Sequence, residues 1–129
     1  MDTSAVILLP TLADPALLPE EPLITTITLA ELSVGPLVAT TAKERAARQA
    51  HLQQAESDFV PLPFDASAAR VFGRIAASLR RSGRKRTARS FDAMIAAIAA
   101  ANRLPVFTAN PDDFAGMSEV EVVEVKGEG

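Results

Sequence analysis

Four acidic residues stand where this chain can do chemistry. Asp92 falls in the first turn of a predicted helix, where a carboxylate suits the positive end of the helix dipole. Asp113 falls in a polar turn, Asn110-Pro111-Asp112-Asp113, directly after the short apolar, β-prone run 105–108. Glu31 lies early in another predicted helix, and Asp2 opens the chain ahead of Thr3 and Ser4. Open α/β sheets place their ligands just past the carboxyl ends of parallel strands. Carboxylates gathered at such an edge repel one another and resist ionisation unless cations are present. A set of carboxylates without His or Cys suits hard, oxygen-preferring cations such as Mg²⁺ or Mn²⁺. Two such ions about 3.5–4 Å apart can activate a water and stabilise the leaving oxygen of a phosphodiester. Spacing alone makes this a suggestion, because any chain of 129 residues has scattered acids.

Composition removes the competing chemistries. There is no cysteine, which excludes a disulfide framework, a thiolate nucleophile and a zinc–thiolate site. The one histidine, His51, cannot form a multi-His site and reads as an exposed side chain on a polar helix. No glycine-rich phosphate loop occurs. No 18-residue apolar run and no signal-like start occur, so no membrane contact and a cytoplasmic location are expected. The net charge of −3 hides an asymmetry: Arg80, Arg81, Arg84, Lys85, Arg86 and Arg89 hold six of the thirteen basic residues. An acidic body with one basic strip is the pattern of a polyanion partner, with a solvated helix end as the bland alternative.

The elements that must position these groups follow from periodicity. Residues 2–4 can cap a helix over 5–9 that Pro10 ends, and 14–22 reads as a proline-rich loop. Residues 23–26 read as a strand. Thr28 can then cap a helix over 29–37, with Glu31 at capping-box spacing, which gives Glu31 a structural alternative. Gly35-Pro36 should weaken or kink that helix. Residues 42–57 form a polar helix with a thin apolar stripe, and 59–62 a third short strand. Pro63 and Asp65 start a long helix with Val71, Phe72, Ile75 and Leu79 inward, ended by Ser82-Gly83. Ser90 can cap the helix that carries Asp92, with Met94, Ile95, Ile98 and Ala101 as its stripe and Asn102-Arg103 as its end. Residues 120–125 read as an edge strand with one wet face, and 126–129 as a frayed end. Alternating helices and short apolar strands make one α/β domain, residues 1–129, with a largely parallel sheet.

Three stretches in order, Asp2-Thr3-Ser4, ITTITLAELSVG at 24–35 and FDAMIAAIAAANRLPVFTANPDDF at 91–114, resemble the PIN-domain ribonucleases, and within them the VapC toxins of bacterial toxin–antitoxin pairs. Each piece is weak alone, and the three together are specific. The resemblance implies a PIN-like, Rossmann-like three-layer fold with a mainly parallel sheet flanked by helices. It implies that Asp2, Glu31, Asp92 and Asp113 hold Mg²⁺ or Mn²⁺ and that Thr108 and Asn110 shape the same pocket. Asp112 is the alternative to Asp113, which is favoured because it directly precedes Phe114. The resemblance implies an endoribonuclease toxin, a homodimer and inhibition by a VapB-type antitoxin, with Arg84, Lys85 and Arg86 guiding RNA phosphates. A non-catalytic PIN-like module that binds RNA or protein is the rival reading, and a DNA or flap nuclease the third.

The family's first aspartate ends a strand of several residues, whereas only Met1 precedes Asp2 here. A parallel sheet without its central strand leaves buried N–H and C=O groups unpaired, at roughly 1–3 kcal/mol each. Residues ahead of Met1, or a partner, are therefore expected to support the sheet there, with Asp2 at its carboxyl edge beside Asp92.

Overall fold

The computed structural model describes residues 1–2, 23–83 and 90–126. The helix and loop expected within 5–22, Arg84, Lys85, Arg86 and Arg89 of the basic strip, and residues 127–129 lie outside them.

Helix α1 spans Thr26–Leu37 and α2 spans Ala42–Asp58. Thr25 caps α1, its Oγ1 accepting from the Thr28 N–H at 3.1 Å. The expected cap at Thr28 is thus corrected by one turn. A threonine stands at both places, and the one that ends the extended segment wins. With Thr25 as cap, Glu31 lies beyond the first turn and outside any capping box. Pro36 does not interrupt α1, because it falls in the last turn, where little helix remains to be broken. Arg48 of α2 steadies that end by donating to the Gly35 carbonyl at 3.0 Å. Helix α2 buries only Ala55, which fits its thin stripe. His51 is half-buried rather than exposed.

Helix α3 spans Ala66–Arg81, capped by Asp65 and burying Ala68, Val71, Ile75 and Leu79. Gly83, at φ 76°, takes the left-handed conformation that ends it. Helix α4 spans Ser90–Ala101 and is buried nearly all round, with Ile95, Ala96, Ala97 and Ile98 at most 2% exposed. Its end is a Schellman turn: Leu104 N–H donates to Ala99 O and Arg103 N–H to Ala100 O. Arg103 itself sits at φ 59°, a conformation that costs a non-glycine residue about 1–2 kcal/mol.

The turn then enters β1, Val106–Thr108, which pairs in parallel with β2, Val122–Glu124, in register Val106↔Val122. The strands expected over 23–26 and 59–62 shrink to one parallel bridge, Thr25↔Leu62. Met1 and Asp2 lie between these pieces. The Met1 ammonium donates to Leu23 O at 2.7 Å and the Asp2 N–H to Phe107 O at 3.0 Å. Backbone bonds thus link Leu62, Thr25 and Leu23, then Met1 and Asp2, then β1 and β2 across the width of the sheet.

One core lies between α3, α4 and the sheet, with Ile75, Leu79, Ile95, Val106 and Phe114. A second joins Met1, Ile24, Leu32, Ala55 and Val125, with Phe107 against it. Neighbours Val106 and Phe107 thus pack on opposite faces, as a pleated strand covered on both sides requires. Among the described residues no helix is long and apolar enough to cross a membrane.

Candidate functional site

The site is built where chain segments leave the sheet. Asp2 lies beside β1, α1 starts directly after Thr25, and a 3₁₀ turn, Pro111–Phe114, follows β1. Because α4 turns tightly into β1, the two run antiparallel, and the first turn of α4 lies toward the carboxyl end of β1. Asp2, Glu31, Asp92 and Asp113 thus come from four separate pieces of the chain: Asp2 beside β1, Glu31 on α1, Asp92 in the first turn of α4 and Asp113 in the 3₁₀ turn after β1.

Asp2 is the best-defined of them. It is 4% exposed, and its Oδ2 accepts from the hydroxyl of Thr108, which is wholly buried, at 2.6 Å. The Asn110 N–H donates to the same Thr108 oxygen at 3.0 Å. A hydroxyl has one hydrogen. With its oxygen occupied by Asn110 as acceptor, that hydrogen is directed at Asp2. Thr108 and Asn110 were expected to shape the pocket, and the contact observed for Asn110 is through its backbone. The Asp113 N–H donates to Asn110 O at 3.0 Å, tying the 3₁₀ turn to the same corner. Burial holds the Met1 α-amino group below its usual range, with the Asp2 carboxylate pulling the other way.

Glu31 and Asp92 are half-buried, and Asp112 and Asp113 are exposed. The donor chemistry fits a hard cation: carboxylates only, one of them buried and oriented. Among the described residues, no group of three or more His, Cys, Asp and Glu side chains is placed to hold an ion as it stands.

Two features were missed from sequence. A groove of about 300 Å³ beside Glu31 is lined by Ile27, Ala30, Val34 and Phe91. Phe91, at the start of α4, is 60% exposed. Val34, Leu37 and Val38 are also exposed, so one apolar face of α1 lies open next to Glu31.

Comparison with known proteins places this arrangement. The PIN domain family matches residues 2–120. The chain belongs to the PIN-domain family. It is 44% identical over 115 residues to Ribonuclease VapC5 of Mycobacterium tuberculosis, covering 87% of this chain and 82% of that protein. The solved structure of VapBC-5 from Mycobacterium tuberculosis, a member of the VapBC family of toxin-antitoxin systems, superposes with a TM-score of 0.81 at 39% identity, covering 96% of this chain and 95% of that one. FitAcB from Neisseria gonorrhoeae matches with a TM-score of 0.68 at 25% identity over 94% of this chain and 93% of that one. The expected PIN-like α/β fold is the fold of this chain.

Proposed function

We propose that this chain is a divalent-metal-dependent endoribonuclease, the toxin of a VapBC-type pair, acting in the cytoplasm as a single domain over residues 1–129. The observation that carries the reading is the buried Asp2 carboxylate, which accepts from the Thr108 hydroxyl at the end of β1. Kinship to a named ribonuclease supplies the substrate class. Asp2, Glu31, Asp92 and Asp113 would hold Mg²⁺ or Mn²⁺. Such an ion supplies charge neutralisation at the scissile phosphate and a more acidic water. Thr108 keeps Asp2 in one orientation, and Asn110 keeps Thr108 in its donor state. Arg80 and Arg81 lie exposed in the last turn of α3. With Arg84, Lys85 and Arg86 they would draw RNA phosphates toward this edge.

The groove beside Glu31 suits a VapB-type antitoxin. Its apolar walls would take a partner's apolar side chains, and Glu31, Asp92 and Asp113 would take an arginine, whose guanidinium binds carboxylates in bidentate fashion. The open face of α1, with Leu37 84% exposed, suits a second copy in a homodimer.

The rival is a non-catalytic PIN-like module that binds RNA or protein, which would keep the fold and the basic strip without needing all four acids. Asp92→Asn separates the two. The endoribonuclease reading expects Mg²⁺-dependent cleavage to vanish while RNA binding persists, and 5′-end sequencing of RNAs cut by the parent names the target. A parent that cuts no RNA, or a variant that cuts at the parent's rate, turns the choice the other way.

A further inference from the structure

From Ala66 to Arg103 the chain holds nine of its thirteen basic residues and one acid, Asp92. Exposed helices commonly set a carboxylate one turn from a lysine or arginine. Helix α3 has four arginines and no acid. Its last-turn pair, Arg80 and Arg81, suits the negative end of the helix dipole. Arg70 and Arg74 lie in the body of α3, beyond that effect, and repel each other at i,i+4 spacing. Just past the end of α4, Arg103 comes beside them. The three arginines line a surface hollow of about 310 Å³ together with Ser67, Ala100 and Ala101. Arg70 donates to the Ser67 hydroxyl at 3.4 Å. No carboxylate among the described residues pairs with any of the three.

Two further costs fall at the same place. Arg103 keeps φ 59°, a conformation that glycine takes without penalty. Gly73, exposed beside Arg74, weakens α3, although an added Cβ would meet nothing within 4 Å. Packing inside the protein requires neither choice. We propose that this hollow is a phosphate site, and that its occupant is the backbone of the RNA at a point away from the cut. Guanidinium forks match phosphate oxygens in bidentate fashion, and the Ser67 hydroxyl adds a donor. Asp92 and Arg103 stand at opposite ends of α4, roughly 16 Å apart at about 1.5 Å per residue. Arg80 and Arg81 lie at the other end of α3 from Arg70. An RNA that fills the hollow is therefore held well beyond the candidate site, which favours substrates long or folded enough to span that length. The choice of RNA as the polyanion rests on the endoribonuclease reading.

The test titrates labelled oligouridine into the Asp92→Asn protein at several salt concentrations. A hollow variant adds Arg70→Gln, Arg74→Gln and Arg103→Gly to that background. A lysine variant places lysine at the same three positions. A charge control instead adds Lys43→Gln, Arg45→Gln and Lys126→Gln, three exposed residues that do not line the hollow. The hollow variant is expected to bind more weakly and to flatten the slope of log affinity against log salt by about 2, at roughly 0.7 per lost contact. Its melting temperature should hold or rise, because a like-charge pair and a strained arginine have gone. The lysine variant and the charge control should keep the slope of the background protein. An unchanged slope in the hollow variant, with RNA still bound by the background protein, overturns this proposal alone. So does an equal change in the charge control, which would trace the effect to net charge. A background protein that binds no RNA overturns the proposal together with the endoribonuclease reading. The expected slope change beside a parent that cuts no RNA keeps the hollow and removes the nuclease.

Discussion

Two threonine–carboxylate pairs do opposite work in this molecule. At the start of α2, Glu44 Oε2 accepts from the N–H and hydroxyl of Thr40 at 3.0 and 2.9 Å, while Thr41 caps the Glu44 N–H at 3.1 Å. Arg48 pairs with Glu44 at 3.2 Å, one turn on. All partners lie within four residues, on an exposed surface where water offers the same bonds. At the sheet edge, Thr108 holds Asp2 across 106 residues of chain, in the interior. That pair exists only once the sheet is assembled, and a buried carboxylate is costly unless hydrogen-bonded or paired with a cation. The first pair finishes a helix. The second holds a carboxylate in the interior, where stability alone would not place one.

The contrast is broken most severely at the edge itself. Glu31→Gln is expected to lower Mg²⁺-dependent RNA cleavage by at least about 100-fold, several kcal/mol of lost transition-state stabilisation. The metal-free melting temperature should hold or rise, because one like charge has gone. Cleavage at the parent's rate would remove Glu31 from the ligands. Thr108→Val comes next, keeping the shape but deleting the donor to Asp2 and the acceptor for Asn110. Urea unfolding should show a loss of about 1–3 kcal/mol, with Thr108→Ser recovering much of it. A valine protein as stable as its parent would mean that Asp2 does not need this bond.

The basic strip gives a graded effect. Replacing Arg84, Lys85 and Arg86 with glutamine should weaken RNA binding. It should also flatten the slope of log affinity against log salt by about 2, at roughly 0.7 per lost single-strand phosphate contact. The titration uses the Asp92→Asn background, and an unchanged slope returns the strip to a solvated loop. The smallest effect belongs to the exposed pair. The Thr40 hydrogen bonds, then Arg48, hold Glu44 below its ordinary 4.5, so the stability it adds is present above that value. It is lost as pH falls through the lower folded value. Parent and Glu44→Gln should therefore differ slightly in melting temperature at neutral pH and converge in acid, with equal cleavage. A cleavage defect in Glu44→Gln would erase the distinction between the two regions.

Much of the frame was legible because its signals are local. Val71, Ile75 and Leu79 at helical spacing, the alanine-rich run before Asn102-Arg103, and Ser82-Gly83 as a stop all describe what one segment does by itself. The misplacements share a cause. Thr25 and Thr28 obey the same capping rule, and the bridge of Thr25 to Leu62 chose between them. The strand over 59–62 kept one bridge because its neighbours supply no longer edge.

By itself the sequence determined the four described helices, the two strands after them and the chemical character of the candidate site: carboxylates without thiol or imidazole partners, and a basic strip. Those properties depend on residue type and on spacings of a few positions. The tertiary structure alone decided that Asp2 lies in the interior under the Thr108 hydroxyl and that Glu31 is released from a capping role. Each of these depends on which distant backbone lies alongside, and no periodicity within a segment records its neighbour.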